Sequence, residues 1–153
     1  MIQLLGAIIG DIVGSVYEWN NIKTKDFPLF GQDCGFTDDT VMTIAVAEAL
    51  MSGGSPDDYI NAMKRIGRMY PNSGYGGHFN KWLFSDDRKP YNSWGNGSAM
   101  RVSPVGWQFD SLEETENAAE IRKKAISYLD LPLLEIFNRW QDQAPLVGGR
   151  THG

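Results

Sequence analysis

Thr37, Asp38 and Asp39 set a hydroxyl and two adjacent carboxylates directly ahead of the apolar run from Val41 to Leu50. Three hard oxygen donors in a row suit Mg²⁺ or Ca²⁺ better than Zn²⁺. The same residues read equally as a helix start. Thr37 is then the N-cap, its oxygen accepting from a free backbone N–H, and Asp38 and Asp39 fall in the first turn, where the helix dipole favours negative charge. A cap and a metal site make use of the same side chains, so this motif alone leaves both roles open.

Two further segments carry chemistry of a compatible kind. Asn92-Ser93-Trp94-Gly95-Asn96-Gly97-Ser98-Ala99-Met100-Arg101 contains two glycines, Gly95 and Gly97, that permit positive φ and close backbone approach, so a turn here could direct N–H groups at a phosphate. Ala99-Met100-Arg101 reads as a helix start whose dipole favours an anion, and a turn that simply caps this helix is the alternative. In Tyr17-Glu18-Trp19, Glu18 is either a solvated carboxylate or, beside a metal site, a group that aligns a water or a leaving group. Hydrolysis of a glycosidic bond calls for such carboxylates, and metal ions can hold sugar hydroxyls and the attacking water. Gly74-Tyr75-Gly76-Gly77-His78 is another glycine-rich loop, with His78 read as structural or helix-capping. Cys34 has no histidine near it in sequence to activate it and reads as a small core or loop residue.

The elements that must position these groups are all helical in pattern. Leu4, Leu5, Ile8, Ile9, Ile12, Val13 and Val16 follow helical spacing and predict a deeply buried first helix. Gly6, Gly10 and Gly14 recur every fourth residue on it, which suits close approach of another helix. Asp11 interrupts this apolar setting and, if buried, needs a partner. Asn20 to Gly35 reads as a long loop, a candidate flap over a site. The second helix is expected from Thr37 to Ser52-Gly53-Gly54, and the third from Ser55-Pro56 to about Tyr70. A short helical piece is expected over Phe79 to Phe84, then a helix from Ser111, paired with Glu114 as a capping box, to about Leu129, and a last one over Asp130 to Trp140. No segment sustains period-two alternation, so an all-α fold is expected: one domain over residues 1–141 with a tail at 142–153.

Composition narrows the function classes. With 42% hydrophobic and 22% charged residues the 153-residue chain fits a soluble globular domain. A net charge of −5, with no basic stripe, argues against direct nucleic-acid binding. The one cysteine excludes an internal disulfide and points to a reducing cytoplasm. No run is long enough to span a bilayer, and the N-terminus lacks the basic residues of a signal peptide.

Taken together, Gly6-Ala7-Ile8-Ile9-Gly10-Asp11 with Gly14 and Glu18, then Phe36-Thr37-Asp38-Asp39-Thr40, then Trp94 to Arg101, resemble the N-terminal half of the ADP-ribosylglycohydrolases. The resemblance covers residues 1–120. It implies a compact all-α bundle, two Mg²⁺ ions, and hydrolysis of the bond joining ADP-ribose to a protein side chain or a small acceptor. By that resemblance Thr37, Asp38 and Asp39 are metal ligands, and Asp38, Asp39 and Glu18 are the catalytic set, with Glu18 on a loop that moves with substrate. Ser93, Trp94, Gly95, Asn96, Gly97 and Ser98 contact the phosphates and ribose. The family's second acidic motif, Gly-Gly-Asp-Thr-Asp-Thr, does not occur here. Residues 121–140 instead resemble the family's extreme C-terminal helices, so the chain reads as shortened, with the middle missing near Glu120–Ile121. The resemblance therefore leaves two functions open, a hydrolase or a relative that only binds ADP-ribose. A homodimer is a natural way to cover the apolar face such a deletion would leave.

Overall fold

Thr37 does stand at a helix start, and the other helices are arranged around that helix. A computed structural model describes residues 2–91, 97–108, 110, 111 and 113–117. Helix α1 (Ile2–Gly14) runs into a 3₁₀ turn, Ser15–Tyr17, and is followed by a long irregular segment. Then come α2 (Asp38–Met51), α3 (Pro56–Met69), α4 (Gly77–Phe84), α5 (Gly97–Met100) and α6 (Ser103–Gln108). Among the described residues there is no strand, so the fold is all-α. No described helix is long and apolar enough to cross a membrane.

Local chemistry accounts for the helix ends. Thr37 accepts the Asp39 N–H at 3.3 Å. Ser55 accepts the Asp58 N–H at 3.2 Å while the Asp58 carboxylate accepts the Ser55 N–H at 2.9 Å, and Pro56 opens the first turn without needing a donor. Gly53 and Gly54, both at positive φ, turn the chain from α2 into α3. At Ser111 the hydroxyl accepts the Glu114 N–H at 3.2 Å and donates to its carboxylate at 2.9 Å, so the cap half of the expected capping box is present and the two side chains pair. The rest of that helix, the expected helix over Asp130 to Trp140, the tail and the junction at Glu120–Ile121 lie outside the described residues.

The core forms where α2 crosses α3. Val41, Met42, Ala45, Val46 and Ala49 recur along one side of α2 and meet Tyr59, Ile60, Ala62, Met63 and Ile66 of α3. Phe79, Trp82 and Leu83 of α4 and Val105 of α6 close the cluster. Tyr75 and Tyr91 pack their rings against Phe79, at 5.6 and 6.3 Å between centroids, so much of the chain's aromatic content fills core. Two basic side chains of α3 hold the end of α4. Lys64 donates to the Trp82 and Ser85 carbonyls and lies over the Trp82 ring, and Arg68 donates to the Leu83 and Ser85 carbonyls at 2.8 and 2.7 Å. These donors reach carbonyls left open at a helix C-terminus, where the dipole also favours positive charge.

Three expectations need correction. The first helix is not deeply buried: Val13 is, but Leu5 and Ile9 are 51% and 48% exposed. Spacing identified its apolar face without identifying a partner for that face. No described neighbour lies within 4 Å of a Cβ built on Gly6, Gly10 or Gly14, so no helix closes on that stripe among the described residues. The helix expected to start over Ala99-Met100-Arg101 is a single turn, Gly97–Met100, that ends before Arg101, too short for a dipole of consequence.

Candidate functional site

The site is assembled by a capping interaction across helices. Asp11 points from α1 to the start of α2, where one carboxylate oxygen accepts the N–H groups of Thr37 (2.8 Å) and Thr40 (3.1 Å) and the other accepts the Thr37 hydroxyl (2.6 Å). The charge that looked out of place in an apolar helix thus has three donors, two of them backbone groups of a helix N-terminus. Thr37 donates to Asp11 and accepts from Asp39, which fixes its rotamer. From the other side the Asp38 N–H donates to the Ser73 carbonyl at 2.7 Å, and Gly74, at φ 95°, follows beside it, a Cβ there lying in ordinary contact at 3.8 Å from Asp38 Oδ1.

Asp38 and Asp39 are half-buried and crowded by negative charge. Burial raises the Asp38 pKa to about 6, Asp39 beside it and Glu18 add to the rise, and the Arg101 guanidinium opposes it. Asp39 is also pushed up, by burial first and then by Asp11 and Glu18, again against Arg101. Glu18 follows the 3₁₀ turn and is itself exposed. The segment behind it is tied back to that turn: the Gly35 N–H donates to Ser15 Oγ at 3.1 Å, and the Tyr17 and Phe27 rings meet edge-on at 5.5 Å. Glu18, Asp38 and Asp39 are therefore brought within electrostatic reach of one another by α1, its 3₁₀ extension and α2.

Arg101, Asp11 and Ser73 stand out in the structure although the sequence reading gave them no site role. Arg101 is 3% exposed, lies over the Phe79 ring at 4.8 Å and donates toward the Met63 sulfur at 3.9 Å. It lies within electrostatic reach of Asp38 and Asp39, whose charges favour its protonated form. Of the expected substrate-binding segment, Gly97 and Ser98 are described; Ser93, Trp94, Gly95 and Asn96 lie outside the described residues. Gly97 is the first residue of α5, and its lack of a side chain lets the Arg101 guanidinium approach closely. His78 is exposed in the first turn of α4, and Cys34 accepts the Gly31 N–H at 3.2 Å.

Among the described residues no group of three His, Cys, Asp or Glu side chains is arranged to hold a metal ion. The donor chemistry nevertheless fits a hard divalent cation. Thr37, Asp38 and Asp39 are all oxygen donors, Thr40 Oγ1 is a buried oxygen in the same turn with no described partner, and the carboxylates repel one another in a setting that a cation would relieve.

Comparison with known proteins shows the family. The family model described as ADP-ribosylglycohydrolase matches residues 3–127. Similar proteins include ADP-ribosylhydrolase ARH3 of Gallus gallus, 29% identical over 154 residues that take in 77% of this chain and 42% of that protein. The Xenopus tropicalis protein of the same name is 31% identical, covering 73% of this chain and 40% of its own length, and the Homo sapiens one is 28% identical with 77% and 41% covered. The chain thus spans about two-fifths of the length of the curated relatives it matches. With a family match over residues 3–127 and an acidic helix start held from α1, this chain belongs to the ADP-ribosylglycohydrolase family.

Proposed function

We propose that this chain is a Mg²⁺-dependent hydrolase of the ADP-ribosylglycohydrolase type, shortened relative to the curated proteins it resembles. It cleaves the glycosidic bond between ADP-ribose and a protein side chain or a small acceptor. The observation that carries this reading is the convergence of Glu18, Asp38 and Asp39 at a helix start whose orientation Asp11 fixes. Thr37, Asp38 and Asp39 would hold Mg²⁺, two ions by family expectation, whose chemistry is to order ribose hydroxyls and the attacking water. In the cleavage the C1′–acceptor bond breaks, the hydroxyl of water joins C1′ and its proton leaves with the acceptor. Glu18 aligns the water or the leaving group, and the segment Ser93 to Ser98 seats the phosphates and ribose. The reducing cytoplasm suits the unpaired Cys34. A second copy of the chain is the natural cover for the apolar face of α1.

A second reading is a module that binds ADP-ribose without hydrolysing its glycosides. The lack of a three-ligand acidic group among the described residues favours it, because carboxylate number sets Mg²⁺ affinity. Calorimetric titration of ADP-ribose into the full chain, with Mg²⁺ and with a chelator, separates the two. Mg²⁺-dependent binding, with hydrolysis lost in Asp38→Asn, supports the enzyme. Metal-independent binding that Asp38→Asn leaves unchanged supports the module, and no binding in either condition rejects both.

A further inference from the structure

Arg101 poses an energetic problem. Its side chain is buried, its Nε finds no partner, and no carboxylate lies within ion-pair distance of it among the described residues. What surrounds it is a thioether, the face of Phe79 and the Tyr91 side chain. Such a charge is expensive to bury, and a thioether, a ring face and the hydrogen bond with Tyr91 return only part of that cost. Fold stability is therefore a poor reason for an arginine here. Gly97 shows what the guanidinium does touch: a Cβ on Gly97 would lie 2.8 Å from Arg101 Nη2 and 3.5 Å from Cζ. A methyl there would have to push the guanidinium aside, and at 3% exposure the arginine has little open space to move into. Through this contact the start of α5 is seated on a charge within electrostatic reach of the acidic pair, and α5 touches α2, the helix that carries that pair.

We propose that Gly97 and Arg101 are a positioning pair, in which the buried guanidinium, fitted against a residue with no side chain, fixes the start of α5 relative to α2 and so aligns Ser98 for ADP-ribose. Arg101 acts through Gly97 and does not touch the ligand. The proposal rests on the ADP-ribose reading above.

A double-mutant cycle tests it on the full chain, with ADP-ribose affinity in Mg²⁺ read by calorimetry and thermal melting read by circular dichroism. Gly97→Ala pushes the guanidinium aside, and Arg101→Met removes the atoms that the new methyl meets. Each substitution should weaken ADP-ribose binding about tenfold or more, and the double variant should bind no more weakly than Arg101→Met alone, because coupled residues are non-additive. Arg101→Met should melt at the parent temperature or above it. Arg101→Lys, a charge without the planar fork, should tolerate Gly97→Ala better than the parent does, and it carries the cycle if Arg101→Met does not fold. Additive losses overturn the pair, since Gly97 would then serve the approach of the ligand itself. A steep fall in melting temperature matching the fall in affinity also overturns it, as a structural role would give. A parent chain that binds no ADP-ribose removes the functional reading and the pair together, whereas a binding parent with an additive cycle removes only the pair.

Discussion

At Asp38 the fold stores electrostatic repulsion, and its sign can be worked out from the neighbours. Burial, Asp39 and Glu18 raise the pKa from 3.8 to about 6 against the pull of Arg101. The folded chain therefore holds this proton more tightly than the unfolded chain. Its stabilising effect is complete below the ordinary carboxylate value and is lost as pH rises from 3.8 to about 6. Urea midpoints measured across that window should fall with rising pH, more shallowly in Asp38→Asn, and Mg²⁺ at neutral pH should recover stability in the parent but not in the variant. A parent midpoint that climbs through the window would mean that favourable partners outweigh burial at this carboxyl. Asp11 contributes through its hydrogen bonds instead. Asp11→Ala leaves two backbone donors and a hydroxyl at 2.6–3.1 Å without their acceptor. The expected cost is about 2 kcal/mol, from a lost cap and newly unsatisfied groups. Relief of the Asp11–Asp39 repulsion offsets part of this, but burial and not Asp11 is the leading cause of the Asp39 shift. Asp11→Asn keeps one acceptor and should lose about half as much in urea unfolding.

At the scale of elements the tightest fit is between α3 and α4. A methyl on Gly67 would meet Leu83 Cδ1 and Cδ2 at 2.7 and 2.8 Å and Met42 Cε at 3.1 Å. Leu83 and Met42 are wholly buried, so neither side chain has open space to swing into. Alanine is the better helix former by about 1 kcal/mol, and overpacking costs about 1–3 kcal/mol, so Gly67→Ala should destabilise by about 1 kcal/mol net. Thermal melting checks this, and a rise in midpoint would show that α4 can slide away from α3. The α2 and α3 boundaries were legible in the sequence because their signals are local: Thr37 caps a residue two positions on, and Ser55 and Asp58 cap each other across three. The fit of Asp11 to Thr37 joins residues 26 apart, and no spacing rule reaches that far. Arg101 was read only as the end of a glycine-rich segment, and nothing in its spacing signals burial, which is rare for arginine. Helix α6 was missed because Pro104 and Gly106 look like breakers, although a proline near a first turn is a helix-start signal and Pro104 is buried against the bundle. The acidic pair was therefore readable as a motif, while the groups that hold and balance it required the tertiary arrangement.

At the scale of the whole molecule, α1 is the element whose pattern and surroundings disagree. It is apolar along most of its length, yet Leu5 and Ile9 are about half exposed, and Phe36, which precedes the cap that Asp11 holds, is 50% exposed beside Tyr70. If a second copy covers this face, the gain can be bounded. Completing the burial of Leu5 and Ile9 contributes about 1 kcal/mol each, hence about 4 kcal/mol over two copies. Association costs at least that much in lost translational and rotational freedom. These two residues alone cannot hold a tight dimer, and Phe36 and Tyr70 must add to the contact for any dimer to persist. The expected behaviour is a reversible dimer whose population rises with protein concentration. Light scattering on the full chain at several concentrations should show the average mass rising toward twice 17.1 kDa, and Leu5→Glu should return it to the monomer while leaving the helical circular dichroism intact. A monomer at every concentration, together with no binding of an apolar dye, would show that the face is closed within one chain. Because Asp11 lies on α1 and holds Thr37, a bound partner would also steady the acidic pair. Leu5→Glu should then weaken Mg²⁺-dependent ADP-ribose binding only at concentrations where the parent is dimeric.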